Sequence, residues 1–202
     1  MDKFSVIILA GGNSSRFGKP KPFLLFDKYS SFLEKIVRVY LEFGCQDIVI
    51  VMNQHYSEIL YSSFSELFRT LTKVVYNSKP EMGRFYSLKL GADSVSNSDF
   101  CFIQNIDNPF TDIDTLQKLY DNRKSDSYIS PVYLNIGGHP ILMPQMIIDK
   151  IRGETNIDLN TKDYLSQFNK VIVSVDNDKI LANINTPEDY EIYFNQFAQS
   201  LK

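Results

Sequence analysis

The chain has 202 residues, a formal charge of −3 and 44% hydrophobic residues, including 15 Phe and 12 Tyr, so it can bury a sizeable core and is read as one domain over 1–202. The mildly acidic balance argues against a nucleic-acid partner, which demands a basic face, but leaves room for a small phosphorylated ligand held by local cations. No apolar run approaches the ~18 residues of a membrane span and no signal pattern opens the chain, so a cytoplasmic protein without a membrane partner is expected.

Phe4 to Leu9 (FSVIIL) is a continuous β-branched run, the mark of a strand buried on both faces. Ser31-Phe-Leu-Glu34 opens a helix as a capping box, with Leu33, Ile36, Val37, Tyr40 and Leu41 as its apolar stripe and Gly44 as its stop. Ile48 to Met52 reads as a second buried strand and Tyr56 to Phe68 as a helix. Val74 to Tyr76 is a short strand, Phe85 to Val95 a helix and Phe100 to Gln104 a strand. Ile113 to Tyr120 is a helix with Thr111 placed to cap it. Tyr128 to Leu134 and Pro140 to Met143 read as strands around a Gly137-Gly138 turn, followed by a helix over Gln145 to Ile151. Gly153 to Thr161 is polar and turn-rich, hence a surface loop. Val171 to Val175 and a short Ile180 to Ile184 are strands. Thr186-Pro-Glu-Asp189 starts the last helix with Thr as N-cap, Pro at the first position and acids in the first turn. Strands alternating with helices predict an open, mainly parallel α/β sheet. Cys45 and Cys101 lie far from each other and from any His cluster, and read as buried free thiols of a reducing compartment.

The stretch Ile8 to Lys21, ILAGGNSSRFGKPK, places two glycines and three cations directly after the first strand. It is not a P-loop, since Lys19 is followed by Pro20, and Gly11-Gly12 lacks the spacing of a dinucleotide fingerprint. Glycines after a buried strand nevertheless let a ligand approach the backbone N–H groups. Arg16 supplies a bidentate fork and Lys21 a point charge for phosphate oxygens. A plain strand-to-loop turn with surface cations is the alternative. Ligands of open α/β sheets bind outside the carboxyl ends of the strands, which puts the glycine loop and Asp107 on one edge.

Leu9, Ala10, Gly11, Gly12, Ser14, Arg16, Gly18 and Lys21 match LAGG-x-S-x-R-x-G-x-x-K, which resembles the signature loop of MobA-like nucleotidyltransferases; Phe17 stands where Met is usual. Gly83-Arg-Phe-Tyr-Ser87-Leu88 resembles the family's G-x-x-x-S-L, with Asn77 just before it. Asp107-Asn-Pro109 resembles its D-x-P metal motif, Gly138-His-Pro140 the GHP of its cytidylyl branch, and Asn185-Thr-Pro-Glu-Asp189 its D-T-P-E-D. The resemblance implies a Rossmann-like three-layer α/β fold with a mainly parallel mixed sheet, of the nucleotide-diphospho-sugar transferase type. It also implies transfer of a nucleotidyl group from an NTP to a small phosphorylated acceptor, with Mg²⁺ and release of pyrophosphate.

In that reading the attacking phosphate is already an anion, so the chemistry calls for positioning and charge neutralisation rather than a general base. Mg²⁺ suits it by taking one or two protein oxygens and filling its shell with phosphate and water. By resemblance Arg16, Lys21 and Asp107 are catalytic, and Asp107 and Asn185 bind the metal. Leu9, Ala10, Gly11, Gly12, Asn13, Ser14, Asn77, Gly83 and Ser87 bind the nucleotide, and Gly138 and His139 face the acceptor. Asn185 removes a charge that relatives with Asp have, so Mg²⁺ is expected to arrive mostly as Mg–NTP. Turn roles for Asp107, Asn185 and His139, and a helix-bonded role for Ser87, stay open. Lys19 and His55 read as surface residues. GHP favours CTP as donor, whereas LAGG is closer to the guanylyl branch. The family acceptor is molybdopterin, but Thr155 to Tyr164 replaces a Gly-Asp-x-Gly-rich stretch, so a sugar or other small-alcohol phosphate is the alternative. A nucleotide-binding module without turnover is the other class.

Overall fold

Residues 4 to 10 alternate between two apolar environments, and the rest of the fold is arranged around that alternation. The computed structural model describes residues 2–64 and 66–200, excepting the side chains of 67 and 195–200. Strand β1 (Phe4–Ala10) sends Val6, Ile8 and Ala10 into one core and Ile7 and Leu9 into another. A residue period of two, with both faces apolar, yields a strand that must be covered on both sides. Helix α1 (Phe32–Phe43) covers the first face, and β2 (Asp47–Asn53) pairs parallel with β1. Helices α2 (Ser57–Ser63) and α3 (Glu66–Leu71) lead to edge strand β3 (Lys73–Asn77). Helix α4 (Gly83–Ser94) covers the second face and β4 (Phe100–Asn105) pairs parallel on the other side of β1.

The second half continues with α5 (Ile113–Asp121), β5 (Ser127–Tyr133), β6 (Ile136–Gly137) and β7 (Ile141–Pro144). Helices α6 (Gln145–Gly153) and α7 (Thr161–Leu165), strand β8 (Asn169–Ser174) and helix α8 (Pro187–Ser200) complete it. The sheet runs β3-β2-β1-β4-β7-β5-β6, with β8 also on β5. Strand β7 is antiparallel to both β4 and β5, so the sheet is mixed and mostly parallel. Residues of α1, α5 and α8 pack on one face and residues of α4, α6 and α7 on the other, which gives three layers.

The capping box of α1 is present in both directions, with Ser31 Oγ accepting from Glu34 N–H and Glu34 Oε2 accepting from Ser31 N–H. Gly44 ends the helix in the left-handed region at φ 94°. At the start of α8 the Asp189 carboxylate accepts the N–H groups of Asn185 and Thr186, while Thr186 Oγ1 accepts from Asp189 N–H.

Several expectations are corrected. The helix over Tyr56 to Phe68 is broken at Phe64, whose backbone is extended, and Ser65 lies outside the described residues. The cap of α5 is Asp112, which accepts from Thr115 N–H. Thr111 instead donates its hydroxyl to Gln104 Oε1 inside the core. The hairpin between β5 and β6 turns at Leu134 and Asn135, both at positive φ (46° and 66°), whereas Gly137 sits in β6. Thr161, at the end of the expected loop, begins α7 behind an Asn160 cap. Ile180 to Ile184 is not a strand: a 3-10 turn covers Asp178–Leu181. Cys45 and Cys101 are buried and free, as expected, and burial pushes the Cys101 thiol up to about 12.

Candidate active site

Parallel pairing brings the carboxyl ends of four strands to one edge: Leu9 is level with Asn105, Ala10 with Met52, and Asn53 with Asn77. The reversed strand β7 adds its N-terminal end to the same edge, since Ile141 is level with Ile103 and His139 precedes it. Two adjoining cavities open there.

The first, of about 200 Å³, is lined by the glycine loop (Leu9 to Gly12, and Ser14), Lys21, the start of α4 and the Asn105–Asp107 segment. Gly11 is required by close approach. A Cβ there would come within 2.9 Å of Ser87 Oγ and 3.1 Å of Asn77 Nδ2. Those two side chains are joined to each other, Asn77 donating to Ser87 at 3.0 Å, and Asn77 Oδ1 accepts from Lys79 N–H. The loop is further held by Asn53 Nδ2, which donates to Asn13 Oδ1 at 2.9 Å, and by Tyr56, whose hydroxyl donates to Asn13 O at 2.7 Å. The sequence signals Asn53 only as a polar residue at the end of a buried strand, and gives no signal for Tyr56 in the turn that follows.

After the glycines the chain curls back. Ser14 adopts φ 51°, its carbonyl accepts from Phe17 and Gly18 N–H, and its hydroxyl accepts from Lys21 N–H. The curl delivers Lys21 into the cavity at only 9% exposure, rare for a lysine. Arg16 stays exposed beside it. Both cations converge on one oxygen: Asn185 Oδ1 accepts from Lys21 Nζ at 2.7 Å and from Arg16 Nη2 at 3.0 Å.

Asp107 follows β4 across the cavity. Its carbonyl accepts from Ile184 N–H at 2.9 Å, which brings the Asn185 segment alongside. A buried network beneath fixes the turn: Gln104 Oε1 accepts from Tyr40 and Thr111 hydroxyls, and Gln104 Nε2 donates to Asn105 and Asn108 carbonyls. Burial raises the Asp107 carboxyl above the usual carboxylate range, against opposing pulls from Lys21, Arg84 and Arg16. Burial also lowers the Lys21 ammonium, with Asp107 pulling the other way. Two opposite charges are thus held in a partly desolvated space, where they interact more strongly than in water.

The second cavity, of about 310 Å³, shares Leu9, Arg84 and Asn105 with the first. Gly138 and His139 line it, with His139 N–H donating to Ile180 O. Burial lowers the His139 imidazole to about 4, with Arg84 acting in the same direction, so the ring is neutral at pH 7. Arg84, on the first turn of α4, stands at the junction of the two cavities. It falls at a variable position of the G-x-x-x-S-L match, and only the tertiary arrangement shows that it lines both spaces. Gly83 begins α4 and lines the first cavity with Ser87. Lys19 and His55 are exposed, as read.

The donor set bears on a metal. Asp107 offers one carboxylate, whereas the Asn185 oxygen is taken by two cations. Among the described residues no group of three His, Cys, Asp or Glu could hold an ion. Such a site fits a magnesium ion that brings phosphate ligands with it, through Asp107, and not a preformed protein cage.

Residues 6–171 match the family model of the MobA-like NTP transferase domain. The chain is 27% identical over 192 residues to the molybdenum cofactor cytidylyltransferase of Escherichia coli K12, covering 94% of this chain and 95% of that one. It is 24% identical over 194 residues to a probable molybdenum cofactor guanylyltransferase of Flavobacterium johnsoniae, with the same coverage. Among solved structures it superposes on a nucleotidyl transferase from Methanothermobacter thermautotroptrophicus with a TM-score of 0.77 at 17% identity, covering 99% and 100% of the two chains. The likeness identifies the fold as the three-layer nucleotide-diphospho-sugar transferase type.

Proposed function

Because the chain belongs to the MobA-like NTP transferase family, we propose that it moves a nucleotidyl group from an NTP, with CTP favoured over GTP, to a small phosphorylated acceptor such as molybdopterin, releasing pyrophosphate. The observation that carries this reading is the opposed pair Lys21 and Asp107 in a cavity walled by the glycine loop, joined to a second cavity through Arg84. The preference for CTP rests on the GHP sequence at 138–140 and on the slightly higher identity to the cytidylyltransferase relative, 27% against 24% for the guanylyltransferase matched over the same share.

The residues act in sequence along the cleft. The N–H groups of Gly11 to Ser14 receive the triphosphate, with Lys21 and Arg16 offsetting its charge. Gly83 and Ser87 form the wall against the nucleoside, and Asn77, buried behind them, donates to Ser87 so that the pair packs directly on Gly11. Arg84 holds the acceptor phosphate at the junction, oriented toward the α-phosphorus, and Gly138 and His139 bound its other side. The attacking phosphate oxygen forms the new P–O bond as the bond to pyrophosphate breaks, with no proton to remove. Asp107 would hold Mg²⁺ arriving with the nucleotide, where the ion supplies charge neutralisation of the phosphates.

The test is thermal unfolding with CTP, GTP, UTP and ATP, each with and without Mg²⁺. A ligand at 100 times its Kd stabilises by about 2.7 kcal/mol, which for a chain of this size is roughly 5 to 10 °C. A Mg²⁺-dependent shift largest with CTP is expected. An equal or larger shift with GTP would move the donor assignment, and no shift with any nucleotide would overturn the transferase reading.

A further inference from the structure

Asn105 ends β4 level with Leu9, and the protein satisfies its backbone while leaving its side chain unbonded. Its carbonyl accepts twice, from Gln104 Nε2 at 2.9 Å and from Asn108 N–H at 3.3 Å, which fixes the chain there. The side-chain amide bonds to none of the described residues, although Asn105 is only 5% exposed. Strand alternation points that amide toward α4. Ile103 and Cys101, two and four positions earlier, lie in the second core, whereas Gln104 reaches Tyr40 on the opposite face. On the α4 side Asn105 lines both cavities, together with Leu9 and Arg84. A buried amide without partners costs stability, so it marks a place where a ligand completes the bonding.

The chemistry of that ligand follows from the groups that share the space. Lys21, Arg84 and the glycine loop line it as donors, and Asp107 is the one carboxylate that lines either cavity. A site with this surplus of donors takes a group that brings its own acceptors, and phosphoryl oxygens do so. We propose that Asn105 is a catalytic residue of the transfer, its Nδ2 donating to a phosphoryl oxygen where the donor α-phosphate and the acceptor phosphate meet. The proposal rests on the transferase reading above, which brings the two phosphates together at the junction. There the acceptor oxygen forms its bond to the α-phosphorus, and pyrophosphate leaves with the electron pair of the bond that breaks. No proton changes hands. A neutral donor suits that place, because it stabilises charge on the non-bridging oxygens without setting a further cation beside Lys21 and Arg84. Held by a fixed backbone, it needs no reorganisation during the step.

Two probes tell the sources of that oxygen apart, by titration calorimetry with Mg²⁺ on the full chain, Asn105→Leu and Asn105→Asp. The first is the pair of α-thio diastereomers of the nucleotide that stabilises the parent most, CTP on the reading above. In each, sulfur, a poor hydrogen-bond acceptor, replaces one non-bridging oxygen of the α-phosphate. The second is inorganic phosphate, added to the nucleotide complex in place of the acceptor group. If the amide holds an α-oxygen, the ratio of the two diastereomer affinities should differ by about threefold to tenfold between the parent and Asn105→Leu, the size of one net hydrogen bond. If it holds the acceptor's oxygen, phosphate should weaken by a similar factor with the ratio unchanged. Asn105→Asp keeps the shape but when ionised can only accept, so it should lose at least as much as Asn105→Leu. Asn105→Leu removes an unpaired buried amide with little change of shape, so the free protein should melt no lower than the parent. A diastereomer ratio and a phosphate affinity that are both indifferent to the substitutions overturn the proposal. Nucleotide-induced stabilisation of the parent reports on the transferase reading separately. Where it is present, indifferent probes discard only the role of Asn105; where no nucleotide stabilises the parent, both readings fall.

Discussion

Asn185 differs from a carboxylate by a single charge, and its surroundings show what that charge would change. Its oxygen receives Lys21 and Arg16 together, so in the free protein it acts as an anchor that holds Lys21 at the cavity wall with the exposed Arg16 beside it. Asn185→Asp would place an anion against the same two donors and beside Asp107. Mn²⁺ titrated into the nucleotide-free variant should bind several-fold to tenfold tighter than to the parent, since hard divalent ions gain from each added carboxylate. Equal affinities would show that the cations, and not the missing charge, govern the metal. Asp107 itself is a cost to the free fold. Its carboxyl lies above the ordinary range, chiefly through burial, so the native state holds its proton more tightly than the unfolded chain. Stability therefore declines as pH rises from the ordinary carboxylate value through the raised one, and stays lowered above it. Asp107→Asn should melt higher than the parent at pH 7, with the gain shrinking as pH falls, while its Mg²⁺-dependent nucleotide shift is lost. A lower melting temperature for the variant at pH 7 would mean that its pairing with Lys21 outweighs burial.

At the scale of elements, packing decides what pattern alone cannot. Helix α4 has almost no amphipathic stripe, yet it lies tightly on β1 and β2 because Gly91 presents no Cβ. A methyl group there would meet Ile7 Cγ2 at 2.3 Å and Val51 Cγ2 at 3.1 Å. Gly91→Ala should cost about 1 to 3 kcal/mol by overpacking, despite the better helix propensity of Ala, and lower the melting temperature by several degrees. The other elements divide by how local their signals are. The buried strands and the Ser31–Glu34 box were legible because periodicity and capping act within a few residues. Helix α7 was not, because five residues are too few to show a helical period, and its docking depends on Leu165 reaching a core built by other segments. The β5–β6 turn was misplaced because Leu134 and Asn135 take positive φ where glycines next door offered the easier reading.

Across the whole molecule the same contrast holds for the candidate site. The loop at 9–21 and the turn at 107 could be put on one edge from strand order alone, since parallel strands share their carboxyl ends. Arg84, Asn53 and Tyr56 could not, because their part depends on which segments face one another across the sheet. The reversal of β7 was equally hidden, and without it His139 would lie at the far end of the sheet from Lys21.

The bond from Lys21 to Asn185 joins positions 164 apart in sequence. Tyr190, four residues beyond the start of the last helix's cap, stacks on Phe194 and meets Phe17 and Phe32 from the first fifth of the chain. The support of Lys21 beside the cleft is therefore assembled from segments far apart in sequence, and it is complete only once α8 has packed against Phe17 and Phe32. A nucleotide bound as proposed, on Lys21 and Arg16, would act across that seam as a removable clasp. In hydrogen exchange, nucleotide should slow the amides of Asn185 to Tyr193 together with those of Gly11 to Lys21, as one unit, while leaving β3 and α3 unaltered. Protection of the glycine loop alone would mean that the last helix is held by its aromatic packing whether or not the cleft is filled.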